Sequence, residues 1–352
     1  MLDFSCDYNA GAHAIVLDKL VATNYEKTAT YGTDLYCKSA EEKIRAAASA
    51  PDAKVLFLSG GTQTNMVALS AILRSYQGVI SAVSGHIATH EAGAIENTGH
   101  KVITIPEHAG KIDADELCAY FVGYYADEAR EHAVMPGAVY ISQPTEYGTL
   151  YSRSELLQIS KICREYGAYL YLDGARLGYA LASPQNDATL ADIAALTDIF
   201  YIGGTKVGAL FGEALVITRP EIFPSATPTV KQLGALLAKG RLVGAQFDAL
   251  FDKNNYVDIA SDANRLALKL RESFEAVGIR MFIDSYTNQQ FPILDNRVIA
   301  KLRDKVVFKL WEKYDDNYSV TRFVTSFVTT EREVDELIVL VKDAMAEIAA
   351  EK

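Results

Sequence analysis

The sequence predicts an α/β protein, with a mostly parallel sheet in a large unit followed by a smaller α+β unit at the C-terminus. Three observations carry this. Between Val55 and Ile217 short apolar runs alternate with amphipathic helical stretches, the signature of a parallel sheet covered on both faces. After Pro220 the alternation stops, and long helical stretches give way to mixed short runs. At 352 residues, 49% of them hydrophobic, the chain holds enough apolar material for one large core and a second, smaller one. We place an N-terminal arm and lead-in helix at 1–36, the large unit at 37–250 and the small unit at 251–352.

The elements follow in order. The first 36 residues are irregular, with a helix from about His13 and a loop at 31–36 (YGTDLY) before a helix at Ser39–Ala48. Strands are expected at Val55–Leu58, Val79–Val83, Val102–Ile105, Ala138–Ser142, Tyr169–Leu172, Ile199–Ile202 and Ala214–Ile217, where apolar and β-branched residues cluster. Helices are expected between them at Asn65–Ser75, Ala92–Asn97, Asp113–Tyr125, Ser154–Tyr166 and Leu190–Ala195. The third opens on Asp113 with Glu116 three residues on, a box-like N-cap pattern. A loop punctuated by Pro224 and Pro228 leads to helices at Lys231–Phe251 and Asp258–Val277. Short strands at Ile279–Ile283 and Phe291–Leu294, a helix at Asn296–Tyr314, a strand at Thr321–Val328 and a closing helix at Glu331–Ala350 complete the chain.

Composition excludes some classes. A formal charge of −11 argues against a nucleic-acid surface, which needs a basic stripe. No apolar run approaches the length of a membrane span, and MLDFSCDYNAG does not read as a signal peptide. The four cysteines are scattered without a CxxC pair, which fits a reduced, cytoplasmic protein without disulfides or a metal site.

Ligands in open α/β sheets bind beyond the carboxyl ends of the strands, and four such ends carry unusual polar residues. Ser59–Thr64 (SGGTQT) lies between a strand and a helix, where glycines and free N–H groups can receive a phosphate; a plain tight turn is the alternative. Asp173 ends the run YLYL and emerges with Arg176, able to pair with a cation or a protonated ring nitrogen; the alternative is an N-cap acid and a surface arginine. Glu146, in the polar loop SQPTEYG, could act as a base or be a solvated acid. Lys206, in GGTKVG, sits where an apolar strand stops, among small residues and with no acid next to it in sequence. Desolvation there lowers an amine's pKa and makes it a nucleophile, whereas a surface lysine would snorkel into water. A phosphate cradle, an acid for a ring nitrogen and a lysine amine, in that order on one sheet, form the set that pyridoxal 5'-phosphate requires.

The stretches FSCDYNAGAH, YGTDLY, SGGTQTNMVALSA, GHIATHEAGA, QPTEYGTLYS, YLDGARLGYAL, GGTKVG, GALLAKGRLVGAQF and TRFVTSFVTT span almost the whole chain. Together they resemble the threonine aldolase/aromatic amino acid β-eliminating lyase family of fold-type I pyridoxal phosphate enzymes, whose fold is that of aspartate aminotransferase. The resemblance implies a Schiff-base lysine at Lys206, a ring-nitrogen partner at Asp173 and phosphate contacts at Gly61 and Thr62, with Thr205 as a further hydrogen-bond partner. It implies a histidine stacked on the cofactor at His86; His90 is a rival, but the count back from Glu91-Ala92-Gly93 favours His86. Arg176 and Arg322 would bind the substrate carboxylate. Arg241 would reach a neighbouring subunit's phosphate, and Tyr31 would line a shared site, so a homodimer or homotetramer is implied. Two departures stand out. Glu146 replaces a second active-site histidine, as in phenylserine aldolase-like members, and Cys6 replaces a serine near the substrate carboxylate.

The implied activity is cleavage of the Cα–Cβ bond of a β-hydroxy-α-amino acid (L-threonine, allo-threonine or phenylserine type) to glycine and an aldehyde, with Glu146 or a water held by His86 as base. β-Elimination from an aromatic amino acid, or cofactor binding without aldol chemistry, are the alternatives. A dinucleotide-dependent oxidoreductase is disfavoured, because no GxGxxG opens a helix.

Overall fold

A computed structural model describes residues 1–224 and 226–350. Ser225, in the expected loop punctuated by Pro224 and Pro228, and the last two residues of the expected small unit lie outside the described residues. The strands, in chain order, are β1 (Leu2–Asp3), β2 (Lys54–Leu58), β3 (Gln77–Ala82), β4 (Val102–Ile105), β5 (Met135–Ser142), β6 (Tyr169–Asp173), β7 (Ile199–Gly203), β8 (Glu213–Ile217), β9 (Gln289–Gln290), β10 (Ile293–Asp295), β11 (Val306–Val307), β12 (Lys309–Lys313) and β13 (Tyr318–Val324).

A seven-stranded sheet in the order β2-β8-β7-β6-β5-β3-β4 forms the centre. All neighbours are parallel except β8, which runs antiparallel to both β2 and β7. The cause is the connection: Gly204–Gly212 is too short to hold a crossover helix, so the chain doubles back. β7 and β8 are buried at every residue, as expected of strands covered on both faces. Alternate residues serve opposite cores. Val139, Ile141, Leu170, Leu172, Phe200 and Ile202 enter one apolar cluster, while Ala138, Tyr140, Tyr171, Ile199 and Tyr201 enter the other. The helix Gly61–Ile72 covers the second face, and Arg153–Tyr166 and Arg241–Leu250 help cover the first.

A separate antiparallel sheet is built from β10, β13 and β12, with β9 also pairing β13. Its apolar cluster joins Leu270, Phe274, Phe323, Leu337 and Val341 to Leu2 and Phe4. The extreme N-terminus thus packs on its own chain, with β1 pairing β11 at Leu2↔Val306. Among the described residues no helix is long and apolar enough to cross a membrane.

Several expected elements differ. The single helix expected at Lys231–Phe251 is two, Ala226–Gln232 and Arg241–Leu250, separated where Gly234 takes a φ of +69°. The first of these also occupies part of the expected proline loop. The expected helix Asn296–Tyr314 stops at Leu302, and β11 and β12 follow. Strand pairing, of β11 with β1 and of β12 with β13, outweighs helical propensity there. Ile279–Ile283 forms only an isolated bridge, Met281↔Pro292. The expected loop at 31–36 ends early, because Asp34 caps a helix that starts at Leu35. Finally, the helix expected from Asn65 starts four residues earlier, at Gly61.

Candidate active site

The six co-directional strands of the large sheet end on one edge, and a cavity of about 310 Å³ opens there. Lys206, Asp173, Arg176, Thr205, Gly61, Thr62, His86 and Glu146 all line it. These expected site residues come from five separate stretches of the sequence, brought together by strand order alone.

Lys206 lies in the Gly204–Gly212 turn between β7 and β8. Tyr179 Oη donates to the Lys206 carbonyl at 2.6 Å, which fixes the backbone. The amine faces the Tyr8 ring at 5.8 Å. Burial, then the nearby Arg176 guanidinium, hold the Lys206 ammonium below its ordinary pKa. The preceding Thr205 hydroxyl donates to Glu213 Oε1 at 2.8 Å and accepts from Gly212 N at 3.0 Å.

Asp173 ends β6. Its carboxylate accepts from Tyr140 Oη at 2.6 Å, Asn65 Nδ2 at 3.3 Å and Ala175 N at 2.9 Å. The next residue, Gly174, has no room for a side chain, since a Cβ would lie 2.0 Å from the Tyr201 carbonyl oxygen.

The Ser59–Thr64 stretch is a helix start. Gly60 is the N-cap and offers no side-chain bond. The N–H groups of Gly61, Thr62 and Gln63 therefore have no intrahelical acceptor. The Gln63 side chain instead accepts from Ser59 Oγ at 2.7 Å. Tyr201 Oη would lie 3.1 Å from a Cβ on Gly61, so glycine lets that hydroxyl approach the cup.

His86 opens a short helix, His86–Thr89, that the sequence reading did not include. Its Nδ1 is 2.8 Å from Glu91 Oε1, which also accepts from Asn65 Nδ2 at 2.7 Å. A carboxylate can only accept here, so Nδ1 carries the hydrogen and Nε2 is left to act as base or acceptor. The rival His90 stacks on His86 at 5.7 Å but does not line the cavity. Glu146 Oε1 accepts from Ser142 Oγ at 2.8 Å and from His86 N at 3.0 Å. Burial nevertheless raises Glu146 above the usual carboxylate range.

Arg176 is not free. Its guanidinium makes a two-pronged pair with the buried Asp7, at 2.7 and 3.0 Å, and Asn288 Nδ2 adds a third donor to Asp7 at 2.9 Å. Burial works against the charges, but their mutual attraction wins: Asp7 is lowered and Arg176 raised. Arg322 lies outside the cavity lining, over the Trp311 ring at 5.2 Å. Its donors reach Gln289 Oε1 at 3.3 Å and the Ser5 carbonyl at 3.2 Å, and its buried Nε has no acceptor among the described residues. Burial, and then Arg176, lower it to about 10.

Cys6, Arg241 and Tyr31 do not line the cavity either. Cys6 Sγ receives only a long contact from Ser5 Oγ at 3.8 Å. Arg241 donates to the Thr23 carbonyl at 2.8 Å and keeps a buried Nη1 without acceptor, while Tyr31 is exposed beneath Lys231. The sequence reading gave no role to Asp7, Tyr8, Glu91, Tyr201 or Glu213. A signal existed for Glu213, the acid that opens the otherwise apolar run EALVI.

The chain is similar to known proteins over most of its length. The beta-eliminating lyase family profile matches residues 3–297. A low specificity L-threonine aldolase of a Pseudomonas strain is 28% identical over 351 residues, covering 97% of this chain and 98% of that protein. The solved Leishmania major threonine aldolase is 44% identical and superposes with a TM-score of 0.94, covering 97% of this chain and 99% of its own. An aspartate aminotransferase of Thermus thermophilus, 16% identical, shares the fold with a TM-score of 0.70, covering 98% and 91%.

Proposed function

Because the chain belongs to the beta-eliminating lyase family, we propose that it is a pyridoxal 5'-phosphate-dependent aldehyde-lyase. It cleaves the Cα–Cβ bond of a threonine-type β-hydroxy-α-amino acid to glycine and an aldehyde. The aldolases among its relatives support this reading. One observation carries it: a half-buried lysine held below its ordinary pKa shares one cavity with Asp173 and an uncapped helix start.

The residues fit the cofactor. Gly61 and Thr62 offer unpaired N–H groups to a phosphate, Asp173 would hold the ring nitrogen, Lys206 would form the covalent link and His86 would lie against the ring. Thr205, with its hydroxyl committed to Glu213, serves the cofactor by fixing the lysine turn. When bound, the cofactor supplies a protonated ring that accepts the electron pair of the breaking bond. The protein supplies the rest. Arg322 donates to no carboxylate among the described residues and has an idle buried Nε, so it takes the substrate carboxylate first. Arg176 shares that carboxylate only as far as Asp7 allows, and Cys6 would serve the same group from beside Ser5, whose carbonyl accepts from Arg322. Glu146 removes the β-hydroxyl proton, steered by Ser142 and the His86 N–H.

Incubating the full-length, cofactor-loaded protein with L-threonine, L-phenylserine and L-tyrosine tests this. We expect glycine plus the matching aldehyde from the first two. Ammonia and a keto acid, without glycine or aldehyde, would assign β-elimination instead.

The active sites are shared in a homodimer or homotetramer. Leu17, Val21, Tyr25, Tyr31 and Leu35, all within the first 36 residues, are exposed, and Arg241 has a spare buried donor, which supports a neighbouring subunit against the N-terminal arm. Sedimentation of a strict monomer would contradict it. The separate apolar cluster around Phe323 supports a small C-terminal unit beyond residue 250, although the helix Asn255–Ala276 feeds both cores. Proteolysis tests that division: a single compact fragment spanning both units, with no cut near residue 250, would count against it. Four unpaired thiols support a reducing, cytoplasmic setting, and extracellular recovery of the native protein would count against that.

A further inference from the structure

The reversal of β8 brings an acid to the edge where the other strands of the sheet present their carboxyl ends. Glu213 is the first residue of β8, paired opposite Gly203 of β7 and Leu58 of β2. It is 4% exposed, and it lines the cavity beside Lys206. Both carboxylate oxygens are engaged. Oε2 accepts from Gly204 N at 2.8 Å and Oε1 from Thr205 Oγ1 at 2.8 Å. These are the two residues immediately before the lysine. Through Thr205 Oγ1, which accepts from Gly212 N, the same acid also ties down the far end of the turn.

Stability does not explain an acid here. Ala214–Ile217 are all buried and apolar, and a buried carboxylate costs desolvation that a valine would avoid. No arginine or lysine forms a close ion pair with Glu213 among the described residues. The groups that face it are Lys206 from the turn, Asp173 and Tyr171 from β6, Tyr201 from β7 and Tyr256 from the helix Asn255–Ala276. Only Lys206 among them is a cation.

We propose that Glu213 is the positioning residue of the lysine: it fixes the Lys206 turn through Gly204, Thr205 and Gly212, and adds a buried negative charge to those of Asp7 and Asp173 around the lysine nitrogen. The proposal rests on the cofactor reading of the site. Burial lifts Glu213 to about 7, against the bonds from Thr205 and Gly204, so its charge is present above neutrality and fades below it. Burial and the Arg176 charge lower the Lys206 nitrogen, while Asp7, Asp173 and then Glu213 favour its protonated form. Removing it therefore moves the nitrogen's titration to lower pH.

The test uses the full-length cofactor-loaded protein as wild type, E213Q and E213D. The readouts are the pH midpoint of the visible absorption band and the rate of cofactor loss. E213Q is expected to lower the midpoint and to lose cofactor faster than wild type. E213D keeps the charge on a shorter arm, so it is expected to keep the midpoint while also losing cofactor faster. A folded E213Q with the wild-type midpoint overturns the proposal. If E213Q does not fold, E213D decides, and a midpoint that falls although the charge is retained overturns it. A wild-type protein that develops no band at all would overturn the cofactor reading, and this proposal with it.

Discussion

Glu146 and His86 occupy one corner of the cavity, and the carboxylate is the stronger candidate for the base. The His86 backbone and Ser142 aim it, and burial raises its pKa. A base works only when deprotonated, so the rate should climb with pH through that raised value. The climb then lies above the ordinary carboxylate range, nearer to neutrality. E146Q should remove this acidic limb from the pH–rate profile and lower kcat about 100-fold or more. An E146Q enzyme that keeps both the limb and the rate would move the base to His86. At this scale the sequence was informative wherever a polar residue interrupted an apolar strand end, as at Asp173 and Lys206. It was silent on Asp7 and Glu91, because their meaning depends on partners distant in the chain. Asp7 meets Arg176 across 169 positions. The same gap hid the pairing of Arg176 with a carboxylate of its own chain.

The elements that carry the site depend on close backbone approach. Gly203 N donates to the Gly174 carbonyl at 2.9 Å, locking the ends of β6 and β7 together just before the lysine turn. A Cβ at Gly174 would meet the Tyr201 carbonyl at 2.0 Å, and that atom is backbone and cannot swing aside. G174A should therefore cost about 3 kcal/mol. Urea denaturation would check it, and a midpoint equal to wild type would show that the strands can separate freely. The regular strands and helices between Val55 and Ile217 were legible because burial imposes a simple apolar rhythm. The elements after Pro220 were less so. β12 has only one residue that is not exposed, Trp311, so its sequence shows no apolar alternation, and pairing with β13 defines it. The helix start at Gly61 was missed for a related reason: its glycines read as loop, yet they are the first turn of the helix.

At the scale of the whole molecule, topology explains why so scattered a set of residues converges. The co-directional strands deliver Ser59, Ser142, Asp173 and Gly203 to one edge, and the reversed β8 returns Glu213 to it. The α/β class and the sheet's parallel character followed from the rhythm, but the single reversal did not. It is the short Gly204–Gly212 connection that creates both the reversal and the turn holding the lysine. The N-terminus closes the arrangement, with Phe4 packed on Phe323 while Asp7 and Tyr8 reach the site. Lys206 is the proposed point of covalent attachment, on which every other role in the site depends. The most direct test is borohydride reduction of the full-length protein loaded with pyridoxal 5'-phosphate, followed by peptide mass mapping. The account predicts a single pyridoxyl mark on Lys206 and none in K206A. A mark on another lysine, or an unmarked protein that still cleaves its substrate, would contradict it.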